Sequence, residues 1–169
     1  MTTFEEKTDK NRLTLPQRVG EVISVICLIL LFSFFIYHQI AKTGFFTDKF
    51  GTLEMFCLYI PLLLGISAPA IRACTGHRNT ARPFEAAASL CLALGSLWLL
   101  IVFPLNYTHL ADALPTAIHF VLAWVTDDMA KFVLLLQVII GPISALLTMW
   151  KYFSNRQQET EPAFRRRTS

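Results

Sequence analysis

The side chains able to carry chemistry in this sequence are few. Three of its four histidines, His38, His109 and His119, occur in the same stretches as Glu54 and Asp112. A histidine changes charge between about pH 5 and 8, and a carboxylate attracts cations. His38, Glu54, His109, Asp112 and His119 therefore form a candidate ion or proton vestibule. His38 with Glu54 is the leading pair, because antiparallel neighbouring helices would bring both to one level. His109-x-x-Asp112 with His119 is only a loose ligand set, so no metal and no cofactor is expected. Cys27, Cys57, Cys74 and Cys91 form no CxxC and match neither zinc nor redox spacings; they read as small apolar residues. The sequence contains no nucleophile elbow, phosphate-binding loop, dinucleotide fingerprint or HExxH. No catalytic residue is assigned, and the chain reads as non-enzymatic.

The elements that must position these residues follow from composition. The 169 residues are 54% hydrophobic but only 16% charged, against about 25% charged for a soluble domain. Met55–Ile71, Ala86–Ala111 and Phe132–Trp150 carry no Asp, Glu, Lys or Arg, and Val19–Ile40 carries only Glu21. A hydrocarbon core of roughly 30 Å takes about 20 helical residues to cross. Hydrocarbon offers backbone groups no water, so helices are the expected form, and the segments lack the alternation of barrel strands. The reading is an all-α integral membrane protein, a single domain over residues 1–169. It is a four-helix transmembrane bundle with spans at about 19–40, 53–71, 84–105 and 132–150. The ends, 1–11 and 157–169, are polar and expected to be flexible.

Local signals mark the span boundaries. Thr14-Leu-Pro-Gln17 has the form of a capping box, and Gly44 suits a helix stop. Thr52 with Glu54 suits the start of span 2, Pro83 with Glu85 that of span 3, and Thr126 with Asp127 and Asp128 that of span 4. The first span is too long, and its leader too acidic, for a cleavable signal peptide. It reads as a retained anchor.

Twelve of the fifteen Lys and Arg fall in the leader, the 2–3 connection and the tail; only Lys42, Lys49 and Lys131 fall on the other side. Positive residues stay inside, so both termini are expected to be cytoplasmic, in a cell (inner) membrane. The formal +3 divides into +5 on the inner face and −2 on the outer face. A fifth span over 109–126 would erase this bias. That segment is expected instead to be a short amphipathic interfacial helix, about 113–125, between spans 3 and 4. Leu114, Ala117, Ile118, Val121, Leu122 and Val125 recur at helical spacing, and Asp112 stands ready to cap them.

Lipid is as apolar as leucine, so association between spans relies on small residues. Ala88, Cys91 and Gly95 in span 3, with Gly141 and Ala145 in span 4, are the candidate positions for helix packing or oligomer formation. Glu21 and Glu85, near the inner ends of their spans, are expected to pair with Arg18, Arg72 or Arg82. Arg72, Arg78, Arg82, Arg165, Arg166 and Arg167 are the candidate contacts to anionic lipid or a partner at the cytoplasmic face, with about 1 kcal/mol per residue. The basic patches lack aromatic interleaving, which speaks against nucleic acid. The expected partners are the bilayer and another membrane protein or a second copy.

Three functions are compatible with these features. The leading one is a membrane subunit, anchor or sensor acting through helix–helix and lipid contacts in a homo- or hetero-oligomer. The second is a small oligomeric cation channel or transporter using the acidic, His-bearing outer vestibule. The third is a membrane enzyme with a His/acid site.

Overall fold

The computed structural model describes residues 12–165, and the side chains of 12–156. Among these residues the chain is helical, with no strand and only two isolated β-bridges. Four helices are long and apolar enough to cross a membrane. They are α1 (Leu15–Ala41), α2 (Thr52–Thr75), α3 (Arg78–Val102) and α4 (Asp127–Arg165).

The boundaries follow local chemistry. At the start of α1 the Thr14 N–H donates to Gln17 Oε1 at 3.1 Å, and Pro16 sits in the first turn, where its missing N–H is no loss. The helix stops at Lys42, in the left-handed region at φ 49°, two residues before the expected Gly44. Glu54 acts as expected at the start of α2: its Oε2 accepts from the Gly51 N–H at 3.0 Å. The carboxylate also complements the positive end of the helix dipole.

α3 begins earlier than the sequence suggests. Gly76, left-handed at φ 68°, closes α2 by donating to the Arg72 carbonyl at 2.9 Å. Only Gly76 and His77 separate the two helices. The turn is braced by the Leu13 N–H donating to the Gly76 carbonyl at 2.8 Å, and by the Arg12–His77 bridge. Pro83 therefore lies inside α3 instead of opening it. Arg72, Arg78 and Arg82 lie on helix ends, not in a loop. At its far end α3 stops at Phe103, φ 41°, so Phe103–Leu105 leave the helix.

The expected amphipathic α-helix at 113–125 needs correction. The segment forms two 3-10 turns, Tyr107–Ala113 and Thr116–Val121. Pro115 is the physical reason. A residue before proline is pushed out of the helical region, and Leu114 is extended at φ −98°, ψ 150°. α4 starts at Asp127 with the Met129 N–H reaching Thr126 Oγ1 at 3.4 Å. It runs past Trp150 to Arg165, through part of the stretch expected to be flexible. Residues 1–11 and 166–169, including Arg166 and Arg167, lie outside the described residues.

The helices alternate in direction and pack in chain order, α1 on α2, α2 on α3 and α3 on α4. α1 and α4 share no comparable contact, so the expected bundle is an open row among the described residues. Small residues set the α2–α3 and α3–α4 interfaces. A Cβ at Gly95 would lie 2.3 Å from the Cys57 carbonyl oxygen of α2. One at Gly141 of α4 would lie 2.7 Å from Ala93 Cβ and 2.8 Å from the Ser89 carbonyl oxygen of α3. Ala145 is also buried, whereas Cys91 is half-buried. Across the α3–α4 interface the Ser96 hydroxyl donates to Gln137 Oε1 at 2.6 Å.

One end of the row carries an aromatic cap. The 1–2 connection meets the segment after α3, where the Thr47 N–H and hydroxyl both donate to the Pro104 carbonyl at 2.9 Å. The Asn106 N–H donates to the Phe45 carbonyl at 2.7 Å. Phe45 is fully buried in a cluster with Leu105 and Leu110, against which Phe35, Phe46, Tyr107, Leu122 and Val125 pack.

Candidate functional site

The residues expected to share a vestibule have separate partners. His38 is 1% exposed. Its Nδ1 lies 2.5 Å from Thr43 Oγ1, and its ring packs against Phe34 and Phe45 at centroid distances of 4.6 and 4.8 Å. Glu54 is buried too, but faces another way: Oε1 accepts from the Trp98 indole at 2.9 Å while Oε2 caps α2. The expected His38–Glu54 pair is therefore replaced by two structural contacts. The early stop at Lys42 brings Thr43 back over the helix end, and the α2–α3 packing delivers Trp98 to Glu54.

His109 and Asp112 do meet, with Nδ1 2.8 Å from Oδ2, and both are more than 40% exposed. His119 is turned onto its own segment, its Nε2 2.8 Å from the Leu114 carbonyl oxygen. Among the described residues no group of three His, Cys, Asp or Glu is arranged to hold a metal ion. Nearby, the Tyr107 N–H donates to Asp127 Oδ1 at 2.9 Å. Burial, with the Asp127 carboxylate adding repulsion, pushes the Tyr107 phenol up to about 12.

The opposite end holds a more concentrated polar arrangement. Arg72 of α2 reaches Glu21 of α1 with one guanidinium nitrogen at 3.1 Å and Glu85 of α3 with the other. Three helices are thus joined by one side chain. The fork of an arginine suits two carboxylates, since its donors diverge in a plane. Three formal charges sum to −1. Arg72 and Glu21 are largely shielded, at 20% and 17% side-chain exposure, while Glu85 is 41% exposed.

This cluster closes one end of a cavity of about 300 Å³. Ser24 joins Glu21 from α1; Pro61, Gly65, Ala68 and Pro69 join Arg72 from α2; Ala88, Ser89 and Leu92 join Glu85 from α3. The α2 residues leave space because glycine, alanine and proline project little from the helix. The hydroxyls nearby are satisfied locally, Ser24 by the Gly20 carbonyl at 3.0 Å and Ser89 by the Glu85 carbonyl at 2.9 Å. What remains for an occupant is an apolar trough with one acidic, partly exposed end.

The sequence grouped Glu21 and Glu85 with three arginines without choosing among them. The deciding signal was the tight Gly76–His77 turn, which sets the register of α3 against α2. Arg18 lies over Gly76, its guanidinium occupying the place a Cβ would take. Arg82 donates to Asn79 Oδ1 at 3.0 Å and to the Lys151 carbonyl at 2.8 Å. Arg72 and Arg82 thus have partners within the chain, whereas Arg78 is exposed. Arg165 ends α4.

Comparison with known protein families, curated proteins and solved structures finds no match.

Proposed function

We propose that this chain is a multi-pass protein of the cell membrane, acting without catalysis as a subunit, anchor or sensor. It works through helix–helix and lipid contacts, in an oligomer with itself or with another membrane protein. The observation that supports this reading is the openness of the helix row. Over its most apolar 18-residue stretch α1 is 0% buried, and α4 is 6% buried over the corresponding stretch. Contiguous apolar surface of that extent requires hydrocarbon or another helix to cover it.

Orientation is argued from charge. The helix ends that carry the termini bear the great majority of Lys and Arg, which favours a cytoplasmic location for both termini. At the other end Ile118, Phe120 and Val121 are exposed on the second 3-10 turn and Trp124 just after it, with Phe120 at 73%. An apolar, tryptophan-bearing edge of this kind suits the headgroup boundary. Arg78, with Arg165, Arg166 and Arg167, is our candidate set for anionic lipid.

Crosslinking in native membranes, followed by extraction and purification, tests the proposal. Crosslinked multimers or a defined co-purifying membrane protein are expected. A strictly monomeric, partner-free protein would overturn the subunit reading. Labelling single cysteines placed at Lys42 and Lys151 from outside the cell tests orientation, with only the first expected to react.

A further inference from the structure

We infer that the cleft among α1, α2 and α3 is a binding site for a membrane lipid with a protonated primary-amine headgroup, ethanolamine phospholipid being the class that fits. The inference rests on the membrane reading above.

Size and shape come first. About 300 Å³ is at the lower end of small-molecule pockets and holds roughly ten groups the size of a water molecule. From Arg72 to Pro61 the cleft follows eleven residues of α2, about 16 Å at the rise of a helix. It is therefore long and narrow, as a hydrocarbon chain is. Its walls come from three helices, but only α1–α2 and α2–α3 are packed pairs. The free side of the trough lies between α1 and α3.

Charge selects the headgroup. The Glu21–Arg72–Glu85 cluster carries a formal −1, and its most exposed member is the carboxylate Glu85. A phosphate or glycerol-phosphate head would meet two acids and an arginine whose fork is already engaged. The ammonium of an ethanolamine head would meet the reverse: carboxylate oxygens that can accept its N–H donors and a formal −1 that its charge offsets locally, with the phosphate of the same head directed toward the helix ends. A choline head carries the same charge but no N–H, so hydrogen bonding separates ethanolamine from choline. The cluster lies within about two turns of the ends of α1, α2 and α3, so a head at this level leaves its chain to run inward along Gly65 and Pro61.

The test is native mass spectrometry of the full-length protein in detergent micelles, titrated separately with phosphatidylethanolamine, phosphatidylcholine and phosphatidylglycerol. The wild type is expected to retain phosphatidylethanolamine in preference to both others. Each carboxylate neutralised, as Glu21→Gln or Glu85→Gln, should lower that retention about fivefold, the factor for roughly 1 kcal/mol per charge. The double variant turns the site from −1 to +1 and should prefer phosphatidylglycerol. Such a reversal cannot come from unfolding, which lowers all retention together. Gly65→Leu fills the trough without touching charge and should abolish retention of all three. Should the double variant fail to fold, Glu85→Gln alone should still narrow the preference for phosphatidylethanolamine over phosphatidylglycerol, because the site goes from −1 to 0. Equal retention of the three lipids by the wild type, or an unchanged preference in the Glu85→Gln variant, would overturn the inference. Either result leaves the crosslinking test untouched, so the two readings fail separately.

Discussion

Two glycines make opposite predictions for the same substitution. Gly65 and Gly95 both lie inside helices that pack on neighbours. At Gly65 a new Cβ would find its nearest outside atom, Leu28 Cδ1, at 4.0 Å, an ordinary contact. At Gly95 it would lie 2.3 Å from the Cys57 carbonyl oxygen and 3.2 Å from Pro61 Cγ. The first of these is backbone, so α2 and α3 must separate by about an ångström to reach van der Waals distance. Replacing a helical glycine with alanine gains about 0.5–1 kcal/mol through the unfolded chain's lost freedom, and this gain is common to both sites. Overpacking costs about 1–3 kcal/mol and applies only at Gly95. Gly65→Ala should therefore stabilise slightly, and Gly95→Ala should be less stable than Gly65→Ala by about 1–3 kcal/mol. Detergent-titrated unfolding, followed by tryptophan fluorescence, measures the difference. Equal stability of the two variants would refute the close approach of α3 to α2.

The remaining predictions concern polar contacts. Ser96→Ala strands the Gln137 side chain at the α3–α4 interface; a double-mutant cycle with Gln137→Leu should give a coupling of about 0.5–1.5 kcal/mol, read by the same unfolding assay. Tyr107 should ionise near 12, seen as the component lost from the alkaline absorbance titration in Tyr107→Phe. Its folded pKa lies above the usual value of about 10, so between the two the folded state binds more protons than the unfolded state. Stability should thus fall as pH rises from about 10 through about 12, and Tyr107→Phe should lose less over that window. His38→Ala removes a buried ring from between Phe34 and Phe45 and should cost about 2–4 kcal/mol. Under the vestibule reading of the sequence, the same variant would instead alter cation flux into liposomes.

The four long helices were legible because their signal is redundant: a whole uncharged stretch must be misread before a span is lost. Ends were less legible, since each depends on one or two residues. Pro83 looked like the opening of a helix, but the Gly76–His77 turn starts α3 earlier, and a proline tolerated within the helix leaves no mark in the composition. Pro115 had the opposite fate. The apolar spacing around it is helical, yet one proline with an extended Leu114 before it divides the segment. Side-chain partners were the least legible. Glu54 and His38 do lie toward the same end of the row, but depth does not specify azimuth, and Trp98 and Thr43 reach them first. Likewise depth grouped Arg18, Arg72 and Arg82, and only the register of α2 against α3 chose Arg72.

The polar contacts also bear on why the row has this order. Under the proposed membrane setting, apolar surface does not distinguish one helix neighbour from another, so close packing and hydrogen bonds must do so. Each adjacent pair has such links. Gln39–Tyr59 and Glu21–Arg72 join α1 to α2; Glu54–Trp98 and Arg72–Glu85 join α2 to α3; Ser96–Gln137 and Arg82 with the Lys151 carbonyl join α3 to α4. Each pair is therefore pinned toward both ends or along its length, which fixes register as well as identity. α1 lacks the glycine-mediated approach that seats α3 on α2 and α4 on α3, and it is joined to its neighbour chiefly through side chains. It follows that α1 is the helix whose position depends most on what fills the cleft beside it. An occupant touching Ser24, Ala68 and Ala88 together would add a link between α1 and α3, which among the described residues are not a packed pair and are joined through Arg72. Loss of the Glu21–Arg72 link should accordingly loosen α1 before it disturbs the α2–α3–α4 unit.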